Sequence, residues 1–271
     1  MDTVIVTMTT VPTRLNDPNP TWGIRPGLKT VLEQTGVEYE MHLNIPYSHK
    51  GKPVIIPDWM LDWQKKYKHL KIFRCTDYGS ITKIYPTLQR ITDPETIIIT
   101  AEDDLFYHDG FIKSHLEARN RYPEYAIGYA GIGSIDETQP CDSRGVHPTG
   151  KYYFTTSTEE DVRVRVLESY KTISYRRRFF SDDFDQFAFM HWNDDEVISA
   201  YLGYKNIKKI SLKCENCENN FSPRVETYPV IGHVPISGEV HGCNIFRQDE
   251  AINKKLAHII IDWHKLGYME R

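Results

Sequence analysis

The chain has 271 residues, 40% of them hydrophobic and 26% charged, and a formal net charge of -4, a makeup that supports a sizeable core and excludes a disordered chain. With a charge this small and basic residues spread along its length, it lacks the electrostatic footprint of a nucleic-acid binder. No stretch approaches the roughly 20 apolar residues that span a bilayer, and Met1-Asp2 leads into a strand-like run rather than a signal peptide, so a soluble, cytoplasmic protein with no membrane span is expected.

An α/β domain with one continuous sheet can reach roughly 250 residues, so a single domain over residues 1–271 is expected. Residues 3–9 (TVIVTMT) are β-branched and apolar and stop at Val11-Pro12, the pattern of a buried first strand. Gly27 to Gln34 has helical spacing and is closed by Gly36; Glu40 to Ile45 is the second strand, ended by Pro46. A short amphipathic helix over Trp59 to Tyr67 and a strand over Leu70 to Arg74 follow. The strand delivers Asp77-Tyr78-Gly79 to its C-terminal end. Ile81 to Arg90 forms a helix if Pro86 lies in its first turns or kinks it.

Thr96 to Thr100 (TIIIT) is the most strand-like run, followed at once by Glu102-Asp103-Asp104. Four alternations of strand and helix in the first 100 residues predict a parallel sheet with helices on both faces. Beyond it come a helix over Phe111 to Asn120, a strand over Ala126 to Ala130, and loops or a hairpin around Lys151 to Thr155. A half-exposed strand over Val162 to Leu167, a helix over Asp195 to Leu202 and a long amphipathic helix over Glu250 to Leu266 complete the pattern. Arg176-Arg177-Arg178 reads as a solvated turn or strand edge.

The five cysteines, Cys75, Cys141, Cys214, Cys217 and Cys243, are expected as free thiols. Cys214 and Cys217 have the spacing of half a zinc site, which His241 and Cys243 would complete; the alternative is two loop cysteines in a polar turn.

Glu102, Asp103 and Asp104 directly follow an apolar strand, and in a parallel α/β sheet ligands bind beyond the carboxyl ends of the strands. Adjacent carboxylates repel one another unless they share a cation, and hard ions such as Mg²⁺ or Mn²⁺ select oxygen ligands. An acidic loop or a helix N-terminus stabilised by the macrodipole is the alternative. In the second acidic cluster, Asn193 to Glu196, Asn193 or Asp194 would cap a helix, or one carboxylate would project into the cleft as a base.

Several spaced blocks together resemble the GT-A glycosyltransferases, in particular the small stand-alone type of bacteria and large viruses. Val6 to Leu15 (VTMTTVPTRL) is similar to the first-strand motif with its trailing Pro-x-Arg, and Asp77 to Leu88 (DYGSITKIYPTL) to the segment that meets nucleoside and phosphates. Glu102 to Asp104 takes the place of the DXD-type metal motif. Leu167 to Phe184 resembles the block lining donor sugar and acceptor, and Asp194 to Ser199 the later acidic block. Ser169 stands where relatives tend to have glycine, and Lys171-Thr172 replaces a second small pair.

The resemblance implies an α/β GT-A (Rossmann-like) fold, with a mixed, mainly parallel sheet and helices on both faces. It also implies a nucleotide-binding half over 1–104 and an acceptor-binding half over 105–271. It further implies a hexosyl- or pentosyltransferase using Mn²⁺ or Mg²⁺, a UDP-sugar or other nucleotide-sugar donor, and a glycan or glycoprotein acceptor. Thr9, Arg14 and Asp77 would meet the nucleoside, Lys83 the diphosphate, and Asp103 the ribose or the ion. Asp104 and Glu102 would hold the metal with His241, for which His233 is an equal rival. Asp195 would be the base of an inverting reaction, with Asp194 in reserve. A nucleotidyltransferase or nucleotide-sugar pyrophosphorylase, or a non-catalytic carbohydrate-binding protein using its 5 Trp and 17 Tyr, are the alternatives.

Overall fold

The β-branched opening run folds as strand Val4–Thr9 (β1), whose first five residues are buried, as a strand covered on both faces requires. This computed structural model describes residues 2–19, 23–133, 153–154, 161–164, 166–188 and 194–212. After β1 comes a short helix, Pro12–Leu15 (α1), with Pro12 at the first helical position, where a missing N–H costs nothing. The next helix, Ile24–Leu32 (α2), starts earlier than the predicted Gly27 because Pro26 falls in its first turn, where proline is tolerated. Strand Glu40–Pro46 (β2) leads into a hairpin of Ser48–His49 (β3) and Lys52–Pro53 (β4), then helix Asp58–Lys66 (α3) and strand Leu70–Cys75 (β5).

The predicted helix from Ile81 to Arg90 is split. Gly79–Lys83 forms a 3₁₀ turn and Tyr85–Arg90 (α4) a separate helix with Pro86 in its first turn, since the proline ring would clash with the carbonyl four residues back in a continuous helix. Ile97–Thr100 (β6), Phe111–Arg121 (α5), Tyr125–Gly128 (β7) and Gly131–Gly133 (β8) follow. Tyr153–Phe154 (β9), inside the predicted hairpin, pairs with β8. The alternating run at 162–167 is two strands rather than one: Val162–Arg163 (β10) and Val166–Leu167 (β11) join different sheets.

Two described strands of the main sheet carried no predictive signal. Ile173–Arg176 (β12) lies antiparallel between β6 and β7, and Lys208–Ser211 (β13) lies parallel to β7. Between them run the four-residue helix Asp185–Ala188 (α6) and the helix Asp194–Tyr204 (α7). Among the described residues the main sheet has eight strands in the order β10-β13-β7-β12-β6-β1-β2-β5. It is mixed rather than purely parallel, because β12 and the edge strand β10 run against the others.

Alternation divides the core between the two faces. Val4, Val6, Met8, Ile97 and Ile99 pack with Leu28, Val31, Met60 and Phe111 on one face; Ile98, Ile173 and Tyr175 pack with Leu88, Val197, Ile198 and Tyr201 on the other. Each fully buried Ile, Val or Leu contributes roughly 1.5 to 3 kcal/mol, so these strands are anchored from both sides.

The arginine run is the end of β12 and the 3₁₀ turn Arg177–Phe179 after it, with Arg178 exposed and Arg176 and Arg177 half-buried. Arg176 pairs with Asp2 at 3.0 Å and Glu95 at 3.1 Å, Arg178 pairs with Glu95 and Glu124, and Arg177 Nε donates to the carbonyls of Leu88 and Ile91. These bonds tie the far end of β12 to the loops beside it. Cys75 is a buried free thiol that burial pushes up to about 11; Cys141, Cys214, Cys217, Cys243 and the 250–266 segment lie outside the described residues. No helix among the described residues is long and apolar enough to cross a membrane.

Candidate active site

From β1 the chain builds outward to β2 and β5, then crosses to the other side of β1 to add β6. That reversal makes a topological switch point between β1 and β6, the crevice where open α/β sheets bind ligands. The residues leaving β1 are Thr10 and, in α1, Arg14; those leaving β6 are Glu102, Asp103 and Asp104. Thr10 Oγ1 donates to Asp103 Oδ2 at 2.5 Å and Arg14 pairs with Asp103 Oδ1, while Arg14 Nη2 lies 2.9 Å from Asp104 Oδ2. Asp103 is 4% exposed, whereas the Asp104 side chain keeps 20% of its surface open. Tyr107 fixes Glu102 by its backbone: the Glu102 N–H donates to the phenol at 2.6 Å, and the phenol donates to the Glu102 carbonyl at 3.1 Å.

A second basic residue serves the other side. Lys83, buried at the end of its 3₁₀ turn, pairs with Glu102 and, at 2.8 Å, with Asp194 Oδ2 at the start of α7. Because β12 runs antiparallel to β6 with Ile173 opposite Thr100, the loop entering β12 arrives at this same edge. It carries Ser169, whose hydroxyl accepts from Lys83 at 2.9 Å and lies 2.8 Å from Glu102 Oε1; its N–H donates to Asp195 Oδ1 at 2.8 Å.

Among the described residues, five carboxyl groups therefore face two cations. Burial disfavours the Lys83 charge, but Asp194 and Glu102 outweigh that and raise its pKa well above the usual value. Burial would also raise Asp194, yet Lys83 holds it below the usual carboxylate range. For Asp195, burial and then the Asp194 charge push the carboxyl well up, Lys83 offsetting only part of this. Asp104 is pushed up to about 6 by burial, Arg14 only partly offsetting this. Among the described residues the cluster carries more negative charge than its cations neutralise, so a divalent cation fits its charge and its oxygen chemistry. Among the described residues no group of three or more His, Cys, Asp and Glu side chains forms a ready metal cage; the donor set fits an ion completed by ligand oxygens.

Of the residues singled out in the sequence, Arg14, Lys83, Glu102, Asp103, Asp104, Asp194 and Asp195 come together. Thr9 instead donates to the Asn44 carbonyl at 2.9 Å, and Asp77 accepts from the Gly79 N–H at 3.0 Å and pairs with His49 Nδ1 at 2.8 Å. His233, His241 and the Asn193 cap lie outside the described residues. Thr10, Tyr107, Ser169 and Glu168 were not foreseen as site residues. Glu168, just before Ser169, has a buried Oε2 without a hydrogen-bond partner among the described residues, and burial, eased by Lys171, pushes its carboxyl up to about 7. Only the departure at Ser169 from the resembled block pointed toward this loop.

No protein-family model matches the sequence, and no curated protein matches it. Among solved structures the chain is similar to GalNAc-T7, a GT-A glycosyltransferase determined with UDP, GalNAc and Mn²⁺. The TM-score is 0.52 at 12% identity, over 77% of this chain and 41% of that one. TarS of S. aureus aligns at TM-score 0.45 and 11% identity over 78% of this chain and 58% of that one. A 4-diphosphocytidyl-2C-methyl-D-erythritol synthase of Anaerococcus prevotii DSM 20548 aligns at TM-score 0.40 and 12% identity over 70% and 74%. The chain thus spans less than half of GalNAc-T7, and at this identity the likeness speaks for architecture alone. The chain has the α/β GT-A fold: a mixed, mainly parallel sheet between layers of helices, with its acidic cluster at the switch point.

Proposed function

We propose that this chain is a metal-dependent glycosyltransferase that moves a sugar from a UDP-sugar, or another nucleotide sugar, onto a glycan hydroxyl with inversion. The observation that carries the reading is the under-neutralised cluster of Glu102, Asp103, Asp104, Asp194 and Asp195 at the switch point of a GT-A fold. GalNAc-T7, which shares the fold, holds UDP, GalNAc and Mn²⁺, and this supports the choice of nucleotide and ion.

In this reading Thr9, Arg14 and Asp77 receive the nucleoside, and Asp103, already fixed by Thr10 and Arg14, presents its carboxylate toward the ribose or the ion. Asp104 and Glu102, with His241, hold Mn²⁺ or Mg²⁺. The ion supplies charge neutralisation for a departing diphosphate. Lys83 reaches the donor diphosphate by exchanging one of its carboxylate partners for phosphate oxygen. Asp195 takes the acceptor proton. Its burial makes it a stronger base than Asp194, which Lys83 holds at low basicity, and Ser169 N–H fixes its orientation.

The test is release of nucleoside diphosphate from a panel of UDP- and GDP-sugars with Mn²⁺, Mg²⁺ or EDTA. Release from one donor, abolished by EDTA and by Asp104→Ala, is expected; no release and no metal-dependent donor binding would sink the reading. Asp195→Asn should lower kcat by roughly 10² to 10⁴. Loss in Asp194→Asn with normal turnover in Asp195→Asn would move the base to Asp194.

A further inference from the structure

The loop that brings Ser169 to the site ends in a backbone conformation that threonine resists. Thr172 has φ 68° and ψ 144°, a region where a branched Cβ collides with the neighbouring backbone and which glycine normally occupies. Such a residue persists only where its surroundings over-determine it. Thr172 is fully buried. Its N–H donates to the Ser169 carbonyl at 2.8 Å, closing the turn Ser169–Lys171. Its hydroxyl shares a hydrogen bond of 2.6 Å with His115 Nε2.

His115 reaches this point from α5 and is itself fully buried. Its ring meets Tyr129 edge-on at 5.0 Å, and among the described residues its Nδ1 has no hydrogen-bond partner. Burial, with Arg119 and His108 adding to it, drives its pKa down to about 3, so the imidazole is neutral and its polar contact is spent on Thr172. A buried, half-satisfied imidazole is costly against an apolar side chain of similar size, and here its one bond falls on the most strained residue of the site loop. Below the loop, Gly128 allows close packing: a Cβ there would meet Leu167 Cδ2 at 2.9 Å and the Thr172 carbonyl at 3.4 Å.

We propose that His115 and Thr172 are positioning residues that latch the 169–172 turn, so that Ser169 presents its hydroxyl to Lys83, Glu102 and Asp194 and its N–H to Asp195. The proposal rests on reading that cluster as the transfer site. Without the latch, φ at 172 relaxes to negative values, the turn opens, and Ser169 withdraws from both acidic segments.

The test compares Thr172→Val, which removes the hydroxyl and keeps the branched shape, with Thr172→Ser, which keeps the hydroxyl. Both are assayed as nucleoside-diphosphate release in the Ser169 and Ser169→Ala backgrounds, and T172V is crystallised. T172V should lower kcat by roughly 10- to 100-fold with little change in donor KM, and T172S should recover most of the loss. In the Ser169→Ala background T172V should add little, because its effect passes through Ser169. The crystal structure should show a negative φ at 172 and a broken Ser169–Lys83 contact. Wild-type kcat in T172V, an equal loss in both backgrounds, or a retained Ser169–Lys83 contact would overturn the latch. If T172V does not fold, Thr172→Ala carries the same expectations. If the wild-type chain releases nothing from any donor, the transfer reading fails, while the wild-type and T172V crystal structures still decide the latch.

Discussion

Burial holds Glu168 toward its protonated form and raises the basicity of Asp195, while a cation holds Asp194, the neighbour of Asp195, ionised. The raised pKa of Glu168 fixes a sign for stability. The folded state binds this proton more tightly than the unfolded chain does, so the contribution is fully present below the unfolded value and is lost as pH rises through about 7. A shift of this size is worth on the order of 3 kcal/mol. Glu168→Gln, a permanently neutral mimic, should therefore melt higher than wild type at pH 8 and no higher at pH 5; equal melting at both would show that the carboxyl is not held neutral. Lys83 poses the opposite problem. Removing it in Lys83→Met leaves the buried Asp194 and the half-buried Glu102 without this cation, and breaking a buried pair typically costs about 3 to 5 kcal/mol. Denaturant titration should show this loss, and adding Asp194→Asn should recover part of it.

Helix α2 packs directly on the acidic segment, and Gly27 is what permits it. A Cβ on Gly27 would stand 2.4 Å from the Leu105 carbonyl and 3.5 Å from that of Asp103. On propensity alone Gly27→Ala gains about 1 kcal/mol, but the clash is with backbone, which cannot swing aside. We expect Gly27→Ala to melt lower than wild type and to lose turnover through displacement of Asp103 and Asp104; a variant that melts higher would show that the helix moves freely. Elements with a strong period, such as β1, β2, β6 and α3, were legible because one pattern matched one environment. Strand β12 was not. Its Ser174 is buried in the sheet with Arg119 hydrogen-bonded to it, and a polar residue in a four-residue run does not signal a buried strand. In β13, Lys209 is buried with its ammonium on the Ser199 carbonyl, and a lysine in a four-residue run hides a core strand.

Across the molecule, the central strands β1, β6 and β12 are buried on both faces while β5 and β10 form the sheet edges. Hydrogen exchange should therefore be slowest in β1 and β6 and fastest at β5 and β10; early exchange of β6 would mean that the core is not continuous across the switch point. The sequence by itself determined the α/β class, the buried first strand and the placing of Glu102 to Asp104 at a strand end, because short-range periodicity and strand-end chemistry are local properties. Only the tertiary structure decided that Lys83 and Ser169, 86 positions apart, join Glu102 to Asp194. It also decided that Arg14 binds the acids across the switch point and that Asp77 turns to His49. Those pairings depend on strand order and on the antiparallel entry of β12, and strand order is set by long-range packing that no local pattern encodes.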